Sequence, residues 1–243
     1  MIGTALKGES MKILFSMMVL AFANVAFSQS VVEAPVKHLF IPHGFDNNDN
    51  IELVVTGEFP STCYSSHKSE VEVNGDIVNI KVTALKKESE VCEQIMIGFK
   101  EVVRIGTLQG GDYKVVVNQG SASEQQENVT IEEASSNSVD EYVYANVEYI
   151  DLGFTGGTSG SAMIMAQTPG DCYDFDRVEY LSNKKDTLSV LPILKKVKPV
   201  CGKMKVRVEI PIKFDPAQFS YSQILLFTRS LQGQSVSTII ERQ

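Results

Sequence analysis

The chain of 243 residues repeats itself once, at a spacing of 109 residues. Gly44-Phe45 recurs as Gly153-Phe154, Pro60 with Cys63-Tyr64 as Pro169 with Cys172-Tyr173, and Asn74 as Asn183. Leu85-Lys86-Lys87 and Val91-Cys92 return as Leu194-Lys195-Lys196 and Val200-Cys201. Without a gap, residues 40–92 match residues 149–201 at 13 of 53 positions, where ordinary composition would give about three. Identity fades past the second cysteine, yet the same offset sets Val115 and Val117 against Ile224 and Leu226. A period this long marks a duplicated domain, because stacked repeat units run to roughly 20–50 residues. We expect one unit over 29–134, a second over 142–243 and a linker over 135–141, where Ser135-Ser136-Asn137-Ser138 is small and polar.

Four cysteines allow three pairings. Both copies can inherit only one of them from a single-domain ancestor, Cys63 with Cys92 and Cys172 with Cys201, each closing a separation of 29 residues. A zinc site needs close-set Cys or His. Only His67 lies near a thiol, and its neighbours are serines; His38 and His43 lie elsewhere in the same copy. No metal and no cofactor is expected.

The N-terminus supplies a compartment. Lys12 precedes an apolar run from Ile13 that continues to Phe27, and Ala26 and Ser28 provide the small residues that a signal peptidase requires. Residues 1–28 read as a signal peptide cleaved after Ser28, with Met11 as the start, and Sec-type export to a bacterial periplasm or beyond follows. The run is short for a membrane span, and no stable span is expected after cleavage. Removing residues 1–28 takes away two lysines and one glutamate, so the net charge moves from −8 to −9. The basic clusters Lys86-Lys87, Lys184-Lys185 and Lys195-Lys196-Val197-Lys198 are short and read as solvated loop or edge-strand charges. Nucleic acid is therefore excluded as a partner, since phosphate binding needs a concentrated basic face.

Within each copy the apolar residues fall in short β-branched runs separated by turn formers. Residues 51–56, 71–74, 77–83, 102–107, 113–117 and 129–132 form the first set, and 142–150, 162–165, 188–191, 204–210, 224–227 and 236–240 the second. Asn74-Gly75 between two such runs signals a hairpin. No stretch shows a helical stripe. The fold class is all-β, two tandem β-sandwiches with one intradomain disulfide each. Leu108-Gln109-Gly110-Gly111-Asp112-Tyr113, followed by Lys114-Val115-Val116-Val117, resembles the tyrosine corner of immunoglobulin-like sandwiches, which implies that the Tyr113 hydroxyl is anchored on nearby backbone. Ser222 stands at the matching place in the second copy. At the level of the fold, the chain is similar to secreted bacterial proteins with tandem immunoglobulin-like domains.

Candidate chemistry is sparse. Gly157-Thr158-Ser159-Gly160-Ser161 resembles the nucleophile segment of chymotrypsin-like serine proteases, which would make Ser159 the nucleophile. The Ala-His-Cys segment of that family is missing, and every histidine sits in the other copy. Asp46-Asn47-Asn48-Asp49-Asn50 offers oxygens of the type that hold Ca²⁺, but its counterpart Thr155–Ser159 has no carboxylate, so it reads as a solvated turn. Asn128-Val129-Thr130 fits the glycosylation pattern, which matters only in a eukaryotic secretory route. These residues predict an exported, non-enzymatic binding or structural protein that presents its sandwiches to a protein or glycan partner. The alternative is a secreted hydrolase inhibitor using the segment 118–127 as bait.

Overall fold

The computed structural model describes residues 29–88, 91–152 and 160–242, without the side chains of Ser66 and His67. The expected leader, Gly153-Phe154 and Ser159 lie outside these residues. The first copy holds eight strands: β1 (Gln29–Glu33), β2 (Val36–Phe40), β3 (Ile51–Phe59), β4 (Tyr64–Asn74), β5 (Ile77–Lys87), β6 (Ile97–Gly106), β7 (Gly111–Val117) and β8 (Gln125–Ile131). The second copy holds eight more: β9 (Val143–Tyr144), β10 (Asn146–Asp151), β11 (Ser161–Gln167), β12 (Tyr173–Ser182), β13 (Thr187–Lys196), β14 (Arg207–Lys213), β15 (Gln223–Ser230) and β16 (Gln234–Glu241).

Each copy pairs a five-stranded sheet with a three-stranded one. In the first, β5 is flanked by β4 on one side and by β1 and β7 on the other, with β8 beyond β7, while β2, β3 and β6 form the facing sheet. The second repeats this strand for strand, with β12, β13, β9, β15 and β16 facing β10, β11 and β14. The expected two sandwiches are present. Their strand order carries one parallel pair each, β5 with β7 and β13 with β15, whereas immunoglobulin sheets are antiparallel throughout.

Alternation along the strands builds the two cores. Val78, Ile80, Val82 and Ala84 of β5 point inward, and Val115, Val117, Val129 and Ile131 join them from β7 and β8. Gly57 of β3 sits where any Cβ would meet the Pro35 carbonyl and the Phe99 ring, at 2.2 and 2.5 Å, so the close approach of β3 to both requires glycine there. The second core is filled by Leu188, Val190, Ile164, Ile210, Ile212, Ile224 and Leu226.

The duplication is not gapless in three dimensions. The β4–β5 hairpin turns tightly at Gly75, φ +63°, with Asn74 opposite Ile77. In the second copy Ser182 stands opposite Leu188, and the Asn183 side-chain oxygen accepts from the backbone amides of Lys185, Asp186 and Thr187, at 2.9 Å each. The Asn183 backbone amide also donates to the Thr187 carbonyl at 3.3 Å, which leaves three residues in that loop against two in the first copy. Tyr64 therefore pairs with Lys86 but Tyr173 with Lys196. A shift of one residue exchanges the faces of a strand, so the repeated Leu85 and Leu194 differ in environment: Leu194 is buried and Leu85 is not.

The two sandwiches are stacked face to face. Every residue of β15 after Gln223 is buried, as are the first eight of β13. One face of β15, Ile224 and Leu226, fills its own sandwich, and the other, Leu225 and Phe227, belongs to the core cluster of the first copy. Strand β3 is likewise buried along most of its length. The result is four layers, with the β2–β3–β6 sheet and the β12–β13–β15–β16 sheet packed against each other in the middle.

Candidate functional site

Both expected disulfides form. Cys63–Cys92 and Cys172–Cys201 have Cα separations of 5.4 and 4.7 Å, within the usual span for a bridge. In each copy the first cysteine sits just before the strand that starts at Tyr64 or Tyr173, and its carbonyl accepts from the end of the neighbouring strand, from Lys87 at 3.0 Å and from Val197 at 2.7 Å. The bridges pin crossover segments and touch no pocket chemistry. Their presence is compatible with an extracytoplasmic protein.

Tyr113 donates its hydroxyl to the Gln109 carbonyl at 3.1 Å, as a tyrosine corner does. Ser222 makes no such side-chain anchor; its carbonyl accepts from the Arg242 amide at 2.7 Å.

The 46–50 turn is not a solvated turn. Asp49 is 3 % exposed, and it receives both Arg229 nitrogens, Nη1 at 2.7 Å and Nη2 at 2.5 Å, across the joint between the copies. The Asp46 amide donates to Asp49 at 2.8 Å, and Arg229 also lies over the Phe45 ring, 5.1 Å from its centroid. Burial pushes the Asp49 carboxyl above the usual carboxylate range, and Arg229 offsets only part of that. Nothing in the sequence joined residues 49 and 229, because their partnership is long-range and the counterpart of Asp49 in the second copy is Thr158.

A second polar contact crosses the joint at the far side of the sheets. His38 Nε2 lies 2.8 Å from Asp186, which also accepts from Asn183 and Thr187, at 2.7 and 2.9 Å. Burial alone would raise the Asp186 carboxyl; the bonds from His38, Asn183 and Thr187 hold it below the usual range. Lys185 pairs with Glu127 and covers the Tyr221 ring at 5.4 Å. The Lys184-Lys185 cluster thus contributes to the joint through Lys185.

Beside Asp49 the joint opens into a groove of about 640 Å³, lined by Asn50, Glu52, Arg104, Gly106 and the turn Gln232–Ser235. Its floor is Glu52, buried and held by Arg104 Nε at 2.9 Å and by the Ser235 hydroxyl. The Arg104 guanidinium stands above, 82 % exposed as a side chain. Side-chain amides of Asn50, Gln232 and Gln234, the Arg104 guanidinium and backbone line this groove, with the Glu52 carboxylate and the Ser235 hydroxyl in contact beneath them. The segment 118–127, the expected bait, is tied down. Asn118 is buried, accepts from the Val82 amide at 2.8 Å and donates to the Ala34 carbonyl at 2.9 Å, and Gln125 onward is already β8.

The fold and the joint define a class, an all-β protein of two disulfide-closed sandwiches. A family model described as the ORF11 beta-sandwich domain matches residues 53–131, about a third of the chain, from β3 to the end of β8. The chain is also similar to the "Uncharacterized 10.2 kDa protein in HgiCIIM 5'region" of Herpetosiphon aurantiacus, 25 % identical over 69 residues, which covers 28 % of this chain and 73 % of that protein. No solved structure matches. Among the described residues, no helix is long and apolar enough to cross a membrane.

Proposed function

We propose that the protein is an exported, non-enzymatic binding or structural protein whose partner, a protein segment or a glycan strand, lies in the groove between its two sandwiches. The observation that carries this reading is the composition of that groove. Asn50, Arg104, Gln232 and Gln234 present hydrogen-bonding groups to solvent along a cleft of ligand-binding size, and apolar groups are scarce there. Such a surface suits hydroxyls or peptide amides, not an apolar small molecule. The leader at 1–28 and the two disulfides support export to a bacterial periplasm or beyond.

Two measurements test this. Mass spectrometry of protein recovered outside the cytoplasm should find a chain beginning at or near Gln29; recovery of only an intact cytoplasmic form would defeat the export reading. Partners captured from envelope extract, together with a glycan array, should give a signal that Arg104→Ala with Gln232→Ala reduces by roughly tenfold or more. A signal untouched by that pair of changes would remove the groove from the function.

A further inference from the structure

Residues 195–207 are exposed without interruption. They carry Lys195, Lys196, Lys198, Lys203, Lys205 and Arg207 and no acidic residue. Asp176 takes up Lys195 at 3.4 Å and Asp171 takes up Lys198 at 3.8 Å. Lys196, Lys203, Lys205 and Arg207 have no acidic partner among the described residues. Between these cations, Val200 is 79 % exposed and Met204 is 67 % exposed. Isolated apolar residues on a surface are ordinary, but here they alternate with cations along one projecting segment. The segment is also fixed in place: Cys201 is bridged to Cys172, the Gly202 amide donates to Asp171 at 2.6 Å, and the Val206 amide donates to Thr168 at 3.1 Å.

The first copy supplies an internal comparison. At the 109-residue offset, Val200, Met204 and Val206 correspond to Val91, Ile95 and Ile97, so the apolar positions are shared. Lys203, Lys205 and Arg207 correspond to Gln94, Met96 and Gly98. Lys195 and Lys196 are shared with the first copy as Lys86 and Lys87, but the cations at 203, 205 and 207, among the exposed apolar side chains, belong to the second copy alone.

We propose that residues 195–207 form a membrane-docking ridge that seats on anionic phospholipid headgroups. The cations meet the headgroup phosphates, and Val200 and Met204 enter the boundary with the acyl chains. A lipid surface satisfies both halves of this pattern. A nucleic acid would use the charges and leave the apolar side chains in water, and an acidic protein would need a concave apolar complement. Because the rest of the chain is strongly acidic, an anionic surface repels its other faces and selects this one. This is peripheral attachment and requires no span. It also stands independently of the groove.

The test is co-sedimentation of the chain from Gln29 onward, which contains every described strand, with phosphatidylcholine vesicles with and without phosphatidylglycerol. Binding is expected only with phosphatidylglycerol at about 0.1 M salt, and should be lost near 1 M. Lys203→Glu with Lys205→Glu should lower the partition coefficient at least about tenfold. Val200→Asp with Met204→Asp should weaken binding as well, whereas Val91→Asp with Ile95→Asp in the first copy should leave it unchanged; circular dichroism checks that each variant folds. No sedimentation of the parent chain, equal binding to neutral vesicles, or binding indifferent to Lys203 and Lys205 would each overturn the proposal. So would attachment to RNA or to an acidic peptide that survives the Val200 and Met204 changes, since that describes a plain polyanion site.

Discussion

Arg229 is the side chain on which the joint between the sandwiches turns. It reaches out of β15, away from its own core, to a carboxylate buried in the other copy, and it closes that contact with two bonds and a ring face. A buried ion pair adds little net stability over an apolar substitute, but removing one partner strands the other charge. Arg229→Met should therefore cost about 3–5 kcal/mol at pH 7. The sign of its pH dependence follows from Asp49. A carboxyl whose value is raised in the folded state holds its proton more tightly there than in the unfolded chain, so its contribution is most favourable at low pH and declines as pH rises through the folded value. Loss of Arg229 raises Asp49 further, so the deficit of the variant against the parent should shrink as pH falls from 7 toward 4. Denaturant titrations at several pH values check this, and a small deficit independent of pH would show that Asp49 is not held as the structure has it.

The elements show which parts of this arrangement a sequence can carry. The β-branched runs located most of the interior strands, and Asn74-Gly75 located the β4–β5 hairpin, because these signals are local. Strands β1 and β2 were missed, since Pro35 and the polar residues around it interrupt any clear alternation. Strand β12 was missed because Asp174, Asp176 and Arg177 break its pattern. The apolar residues of 204–206 predict strand, yet β14 begins only at Arg207. The matched cysteines revealed the bridges, but the one-residue insertion in the second hairpin stayed hidden because the offset is restored before Cys201. The burial of β15 after Gln223 and of the first eight residues of β13 signals packing on both faces, and from the sequence alone that pattern has no named partner. In the loop-entropy picture each bridge contributes about 3.5 kcal/mol. Replacing Cys63 and Cys92 by Ala should lower the melting temperature of the whole chain in a single calorimetric transition, because Leu225 and Phe227 tie the second sandwich to the first core. A first transition that moves while a second stays in place would show that the cores melt separately.

At the scale of the whole molecule, duplication has produced a four-layer body in which the central strands β3, β13 and β15 of the two middle sheets are buried along most of their length. The segment 135–141, the expected linker, contributes little to that union. Its Ser136 and Ser138 carbonyls accept from Asn48 at 2.7 and 3.3 Å, while the apolar face of β15 and the Asp49–Arg229 and His38–Asp186 contacts hold the sandwiches together. Such a body presents the groove at the joint already formed, so the proposed partner would need no hinge to close around it. The most direct measurement is to cut the chain at a protease site inserted between Ser135 and Ser138 and to size the product without reductant. The two disulfide-closed halves should elute together under native conditions and separate in denaturant; halves that part under native conditions would contradict the shared core, and halves that stay linked in denaturant would contradict the pairing of the cysteines.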